Sequence, residues 1–238
     1  MRAAAEMLTL GLALLGAGCT YRVYSPPGRA LPLVSPRPLP AGRTSVTGQA
    51  SVHSRMWGPE LAGGSVRLAR GLPRGEVSAE ATTLVVEGGS AAGTNPVIAM
   101  ARGGFHAGGR HLGFEVGLGG GGSAAGPFVS PDFGLIAGWQ NCYLVPFAAM
   151  RSSVSLPIAA RAVDVTRRGE PAGMHLLTPR TTVAFNPSLG VELPLQHRCT
   201  DEDGVRASVL LGVGWTVLSD ADQTDTYAGA SAAVVVGF

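Results

Sequence analysis

The chain contains no lysine, few charges of either sign, and no long apolar run. Each absence excludes something. Charged residues make up 14% of the chain, whereas an ordinary soluble domain carries about 25%. A conventional water-facing exterior is therefore hard to build. No segment reaches the roughly 18–20 continuous apolar residues that a spanning helix needs. The net charge of +2 lacks the strongly basic footprint of a nucleic-acid-binding protein. All 18 basic residues are Arg, which fits either a GC-rich coding bias or bidentate contacts to lipid phosphates. No G-x-S-x-G, H-E-x-x-H or Walker sequence occurs, so no catalytic residue is assigned. Gly117, Gly119 and Gly122 match the dinucleotide pattern by letter, but no helix signal follows them. His53, His106, His111, His175 and His197 show no zinc spacing. His106 and His111 flank a tight turn and are expected to be exposed. No metal and no cofactor is expected.

What the chain has is apolar character spread thinly. Mean hydropathy is +0.24, with 35 glycines and 17 prolines. Hydrophobicity without long runs points to alternating strands, and the glycines and prolines to many turns. From Arg43 onward, period-2 segments alternate with turn clusters. Val183, Phe185, Leu189, Val191 and Leu193 share one face, opposite Asn186, Ser188, Gly190 and Glu192. Leu112, Phe114, Val116 and Leu118 oppose Gly113, Glu115 and Gly117. Strands are expected near 43–56, 64–71, 75–86, 96–107, 110–119, 131–139, 142–154, 181–195, 205–217 and 226–238. Pro146 and Pro187 fall inside two of them, which calls for a bulge or a shifted boundary.

The N-terminus reads as a targeting segment. Met1-Arg2 is followed by an apolar stretch from Met7 to Leu15, then by Gly16-Ala17-Gly18-Cys19. This resembles a bacterial lipoprotein signal, in which the Cys is acylated and becomes the mature N-terminus. Gly16 stands where that pattern usually carries Leu, and Leu15 lies one place earlier. The resemblance implies a signal peptide at 1–18, a lipid such as palmitate on Cys19, and a Pro-rich linker at 19–42. Pro26, Pro27, Pro32, Pro36, Pro38 and Pro40 favour an extended tether without a packed core.

The C-terminus carries a second resemblance. Ala228, Ala230, Ala232, Val234, Val236 and Phe238 occupy alternate positions up to the end of the chain. A final strand of this kind resembles the assembly signal of bacterial outer-membrane β-barrels. The resemblance implies that the barrel-assembly machinery recognises Val234, Val236 and Phe238. It also implies an all-β fold, an antiparallel up-and-down transmembrane barrel of about 8–10 strands over 43–238. With Phe238 on the periplasmic side, Gly71–Arg74, Ala107–Gly109, Gln140–Asn141 and Gln196–Gly204 become periplasmic turns. Glu87–Asn95, Gly120–Ser130, Ser155–Arg180 and Ser219–Asp225 become outer loops, mostly longer, as such barrels prefer. An even strand number places both termini in the periplasm. Gly-Gly-Ser-Ala-Ala-Gly recurs at Gly88–Gly93 and Gly121–Gly126, and both copies read as flexible loop tips.

Candidate site residues follow from this placement. Cys142 and Cys199 fall at the periplasmic side, where oxidising conditions permit a disulfide. Glu80, Arg102, Glu115 and Glu192 point into the lumen, as a self-neutralising charge network. The loop Ser155–Arg180 holds Arg161, Arg167, Arg168 and Arg180 against Asp164 and Glu170, a candidate contact for lipopolysaccharide phosphates or simply a solvated loop. The functional expectation is a monomeric, non-enzymatic outer-membrane barrel lipoprotein. Its partners would be outer-membrane lipid and the assembly machinery, with no nucleic acid. A soluble periplasmic lipoprotein with a β-sandwich or lipocalin-like barrel binding an apolar ligand is the alternative.

Overall fold

The structure, a computed structural model, describes residues 21–27, 29, 31–54, 61–86, 97–109, 111–141, 143–167, 170–195 and 206–238. Its elements are β1 (Tyr21–Tyr24), β2 (Thr44–Ser54), β3 (Leu61–Leu72), β4 (Gly75–Val86), β5 (Val97–Gly108), β6 (Leu112–Ser123) and β7 (Gly126–Gly138). They continue with β8 (Val145–Pro157), β9 (Arg161–Arg167), β10 (Glu170–Arg180), β11 (Thr182–Pro194), β12 (Arg206–Ser219) and β13 (Thr224–Gly237).

Ten of these close into an antiparallel barrel, in the order β11-β12-β13-β2-β3-β4-β5-β6-β7-β8. Chain neighbours pair with one another, as in an up-and-down meander. Closure comes from β13 on β2 and from β8 on β11. Phe238 and Thr44 exchange both backbone hydrogen bonds at 2.9 Å, sealing the rim where the barrel begins and ends. The remaining three strands form a small sheet, β1-β10-β9, with Tyr21–Tyr24 parallel to Leu177–Arg180.

Alternation decides which way each strand faces. The apolar face points outward: Leu112, Phe114, Val116 and Leu118 are exposed, while Glu115 between them is 1% exposed. Val183, Phe185 and Leu189 are exposed, while Asn186, Ser188 and Glu192 are buried inside. The outside of the barrel is thus apolar, while the inside holds the buried charged and polar side chains together with apolar ones such as Leu84, Ile136 and Leu210. Trp139 and Tyr143 stand exposed at the Phe238 end, and Trp215 near the other.

Several boundaries differ from the sequence expectation. Gly120–Ser130 is not a long loop. Strands β6 and β7 run through it to a turn at Ala124–Ala125, so the second Gly-Gly-Ser-Ala-Ala-Gly copy forms a hairpin. Glycine runs hide period-2 patterning because they carry no side chain to alternate. Gly126 takes φ +125°, a conformation that L side chains rarely adopt. The first copy, Gly88–Gly93, lies outside the described residues. The expected tight turn at Gln140–Asn141 widens to the whole connection between Gly138 and Val145. The loop after β8 carries its own hairpin, β9–β10.

Neither proline needs a bulge. Pro146 pairs with Val191, and Pro187 with Met150, in unbroken register. On its other side Pro187 leaves the ladder without shifting it. There the Asn186 side-chain amide donates to Thr216 Oγ1 at 2.7 Å, linking the two strands beside the gap.

Candidate functional site in the barrel lumen

The Pro-rich segment is not a free tether. Its described residues between Ser25 and Pro40 run down the inside of the barrel and are held at successive levels. At the end opposite Phe238, the Ser25 N–H donates to Thr182 Oγ1 at 2.9 Å, and Ser25 Oγ lies 2.7 Å from Ser155 Oγ. Further down, Arg29 reaches Glu80 and Glu115. Gln49 then clasps the backbone twice: its Oε1 accepts from the Leu33 N–H at 2.9 Å, and its Nε2 donates to the Leu31 carbonyl at 2.9 Å. Ser231 Oγ donates to that same carbonyl at 3.0 Å. Ser35 Oγ donates to Glu192 at 2.8 Å, and the Leu39 N–H to Glu76 at 2.8 Å. At the Phe238 end, Gly42 turns the chain into β2 at φ +82°, its N–H donating to Gly71 O at 3.0 Å.

Proline suits this route. It lacks a backbone donor, so an extended Pro-rich chain can cross a lumen with few N–H groups to satisfy. Among the remaining donors, the N–H groups of Ser25, Leu33 and Leu39 each find a wall acceptor. Leu31 adopts φ 41°, left-handed for a non-glycine residue, which costs roughly 1–2 kcal/mol. Two hydrogen bonds to its carbonyl hold it there.

The wall is cut to fit. A Cβ added at Gly212 would lie 2.6 Å from Leu33 Cδ2, and one at Gly229 would lie 2.5 Å from Leu31 Cδ1. At Gly138 it would lie 2.6 Å from Pro36 Cγ. Inward glycines therefore make the room that the segment occupies. Leu33 and Val34 form one apolar cluster with Ile136, Phe147, Ala149, Leu210 and Ala233 of the wall.

The charges inside are arranged around Glu115. It receives Arg29 Nη1 at 2.6 Å, Arg151 Nε at 3.1 Å and Arg102 Nη2 at 3.5 Å. Arg102 also forks onto Asp132, with both N–O distances 2.6 Å. Arg29 Nη2 lies 2.7 Å from Glu80. Three guanidinium groups thus face three carboxylates. Of the residues expected in the lumen, Glu80, Arg102 and Glu115 belong to this cluster. Glu192 is buried but stands apart, next to Ser35. Arg29, Asp132 and Arg151 complete the cluster and were not anticipated. Asp132 and Arg151 sit on the inward faces of β7 and β8, inside the stretches 131–139 and 142–154 already expected to be strands, so their alternation alone places them in the lumen. Arg29 lies in no strand, so no periodicity could find it.

A second pair, Arg67 with Glu76, lies nearer the Phe238 rim, with His106 Nδ1 3.5 Å from Glu76. His106 is buried, contrary to the sequence expectation, because it lies on the same inward face of β5 as Ile98, Met100 and Arg102. His111 is exposed, its ring 5.3 Å from that of Trp139. Cys19, Cys142 and Cys199, on which the expected lipidation and disulfide fall, lie outside the described residues. Among the described residues no group of His, Cys, Asp and Glu could hold a metal ion.

No family model and no curated protein matches the chain. Among solved structures it is similar to Neisserial surface protein A (NspA), at 10% identity over 82% of this chain and 94% of that one, with a TM-score of 0.33. So slight a likeness carries no argument, and the barrel rests on its own closed ladder of paired strands.

Proposed function

We propose that the protein is an integral outer-membrane β-barrel, closed by its own N-terminal segment. It serves a structural or surface-interaction role in the envelope and catalyses no reaction. The observation that carries this reading is the polarity of the barrel. Side chains such as Val52, Val66, Leu118, Met150, Leu189 and Val213 are exposed around the outside, while the charged groups of the wall, among them Glu80, Arg102, Glu115 and Arg151, are buried inside. In water so broad an apolar surface would drive aggregation. In a bilayer it is the stable arrangement. The barrel strands have the length that tilted spanning strands need, and Trp139, Tyr143 and Trp215 suit the two interfacial belts. A lipocalin-like barrel has the opposite polarity, with its apolar face turned in towards the ligand.

In this reading the terminal Val234, Val236 and Phe238, all outward, engage the assembly machinery. Cys19 carries the acyl group, and Arg161 and Arg180 on the far connection face lipopolysaccharide phosphates. Because the segment from Ser25 to Pro40 fills the lumen, the barrel conducts no solute.

Three measurements test the proposal together. The protein should resist carbonate extraction, should migrate differently in SDS gels before and after boiling, and should give no steady conductance in planar bilayers. Palmitate labelling should disappear in Cys19→Ala. Release by carbonate would contradict the membrane reading, and open-channel conductance would contradict the seal.

A further inference from the structure

We infer that the chain passes through its own barrel from the cell surface to the periplasmic rim, so that its N-terminal end lies outside the cell. The inference rests on the outer-membrane reading above and deepens it. The ends of the threaded segment lie at opposite rims. Gly42 and Arg43 bond to Gly71 at the rim where Thr44 and Phe238 meet. Ser25 bonds to Thr182, Arg180 and Ser155 at the other rim. Beyond that rim, Tyr21–Tyr24 continues as a strand beside Leu177–Arg180 of the β9–β10 hairpin.

The Phe238 rim has short turns between Leu72 and Gly75 and between Gly108 and Leu112; the opposite rim has a tight turn, between Ser123 and Gly126, but also bears the connection from Pro157 to Thr182 with its β9–β10 hairpin. Short turns face the periplasm in outer-membrane barrels and long connections face out. The strand-number rule, which puts both termini on one side, fails here for a physical reason. It counts only crossings made in the wall, and this chain makes one more crossing through the lumen.

The consequence bears on Cys19. It precedes Tyr21 by two residues, and consecutive Cα atoms are about 3.8 Å apart. It cannot reach back across a hydrocarbon layer about 30 Å thick. An acyl chain on Cys19 therefore inserts into the outer leaflet, from outside. The lipid and the barrel then hold the two ends of the threaded segment. The segment cannot slip downward without pulling acyl chains into the lumen, nor upward past the turn at Gly42.

The test is epitope accessibility on intact cells. One variant carries an epitope between Thr20 and Tyr21. A second carries it between Pro73 and Arg74, in the short turn at the Phe238 rim. Both are first checked for heat-modifiable migration and carbonate resistance. The expected result is antibody labelling of the first on intact cells, and of the second only after the outer membrane is permeabilised. If both epitopes need permeabilisation, or both are reached without it, the threading is wrong. If only the Pro73–Arg74 epitope is reached on intact cells, the two rims are opposite but inverted, and the surface assignment is overturned. Release of either folded variant by carbonate would instead overturn the membrane reading on which the inference stands.

Discussion

Arg29 and Glu115 meet at 2.6 Å across a sequence separation of 86 residues. Arg29 comes from a segment outside the barrel wall, and Glu115 from the inward face of β6. Both are buried, and Arg29 also bridges to Glu80. This contact ties the N-terminal segment to the charge balance of the lumen. Removing Arg29 leaves two guanidinium groups, Arg102 and Arg151, facing three carboxylates. Truncating one member of a buried ion pair costs about 3–5 kcal/mol. Arg29→Ala is expected to lower the temperature at which the folded band is lost in SDS gels. A variant that also carries Glu80→Gln should recover part of the loss.

The wall glycines give a second prediction. Gly212→Val places methyl groups where Leu33 now sits. Overpacking of this kind costs about 1–3 kcal/mol. Adding Leu33→Ala returns the space and should restore stability beyond what either change predicts alone. A strictly additive pair would show that Leu33 does not rest on Gly212.

How far the fold is legible in the sequence depends on which signal each part carries. The barrel strands are legible because an outward apolar residue at every second position leaves a mark in the letters, as at Leu112, Phe114, Val116 and Leu118. Glycine-rich Gly119–Gly122 leaves none, and the β6–β7 hairpin was missed there. The threaded segment reads as a tether because proline spacing says extended chain and nothing about where that chain lies. Two traces were present. Leu31, Leu33 and Val34 are apolar residues that a solvated tether has no use for, and Gly212, Gly214 and Gly229 open the inward faces of β12 and β13. Joining the two requires knowing that Arg29 stands near Glu115, and no local spacing carries that.

The break beside Pro187 gives a third prediction. Asn186 and Thr216 are both buried, and their side-chain hydrogen bond spans the place where the β11–β12 ladder is interrupted. Asn186→Ala leaves the Thr216 hydroxyl without this donor, an expected cost of about 1–3 kcal/mol. Hydrogen exchange should quicken at Val217 and Phe185 more than at Leu211 and Val191, lower on the same ladder. A uniform increase along both strands would mean that the bond has no local role.

The turn between β12 and β13 is expected to respond to acid. Asp220 Oδ1 accepts from the Asp222 N–H at 2.8 Å and from the Gln223 N–H at 2.9 Å. These backbone donors, first that of Asp222, hold its carboxyl below the ordinary value of 3.8. The sign follows from the lowered value: the turn is fully stabilised above the ordinary value and loses that contribution as pH falls through the depressed one. The Asp222 and Gln223 amide resonances should therefore stay constant down to the ordinary carboxyl range and shift only below it. Asp220→Asn should remove that acid-side shift.

The most direct test of the threaded lumen is a pair of thiols placed at Ser25 and Ser155. Their hydroxyl oxygens lie 2.7 Å apart, across 130 residues of sequence, close enough for sulfur atoms to bond. With Cys142→Ser and Cys199→Ser as background, the double variant Ser25→Cys, Ser155→Cys is assembled in the membrane and oxidised. The account predicts near-complete joining of the peptides that carry the two positions, seen by mass spectrometry and by a mobility change that reductant reverses. Free thiols at both positions, in protein that still shows heat-modifiable migration, would contradict it.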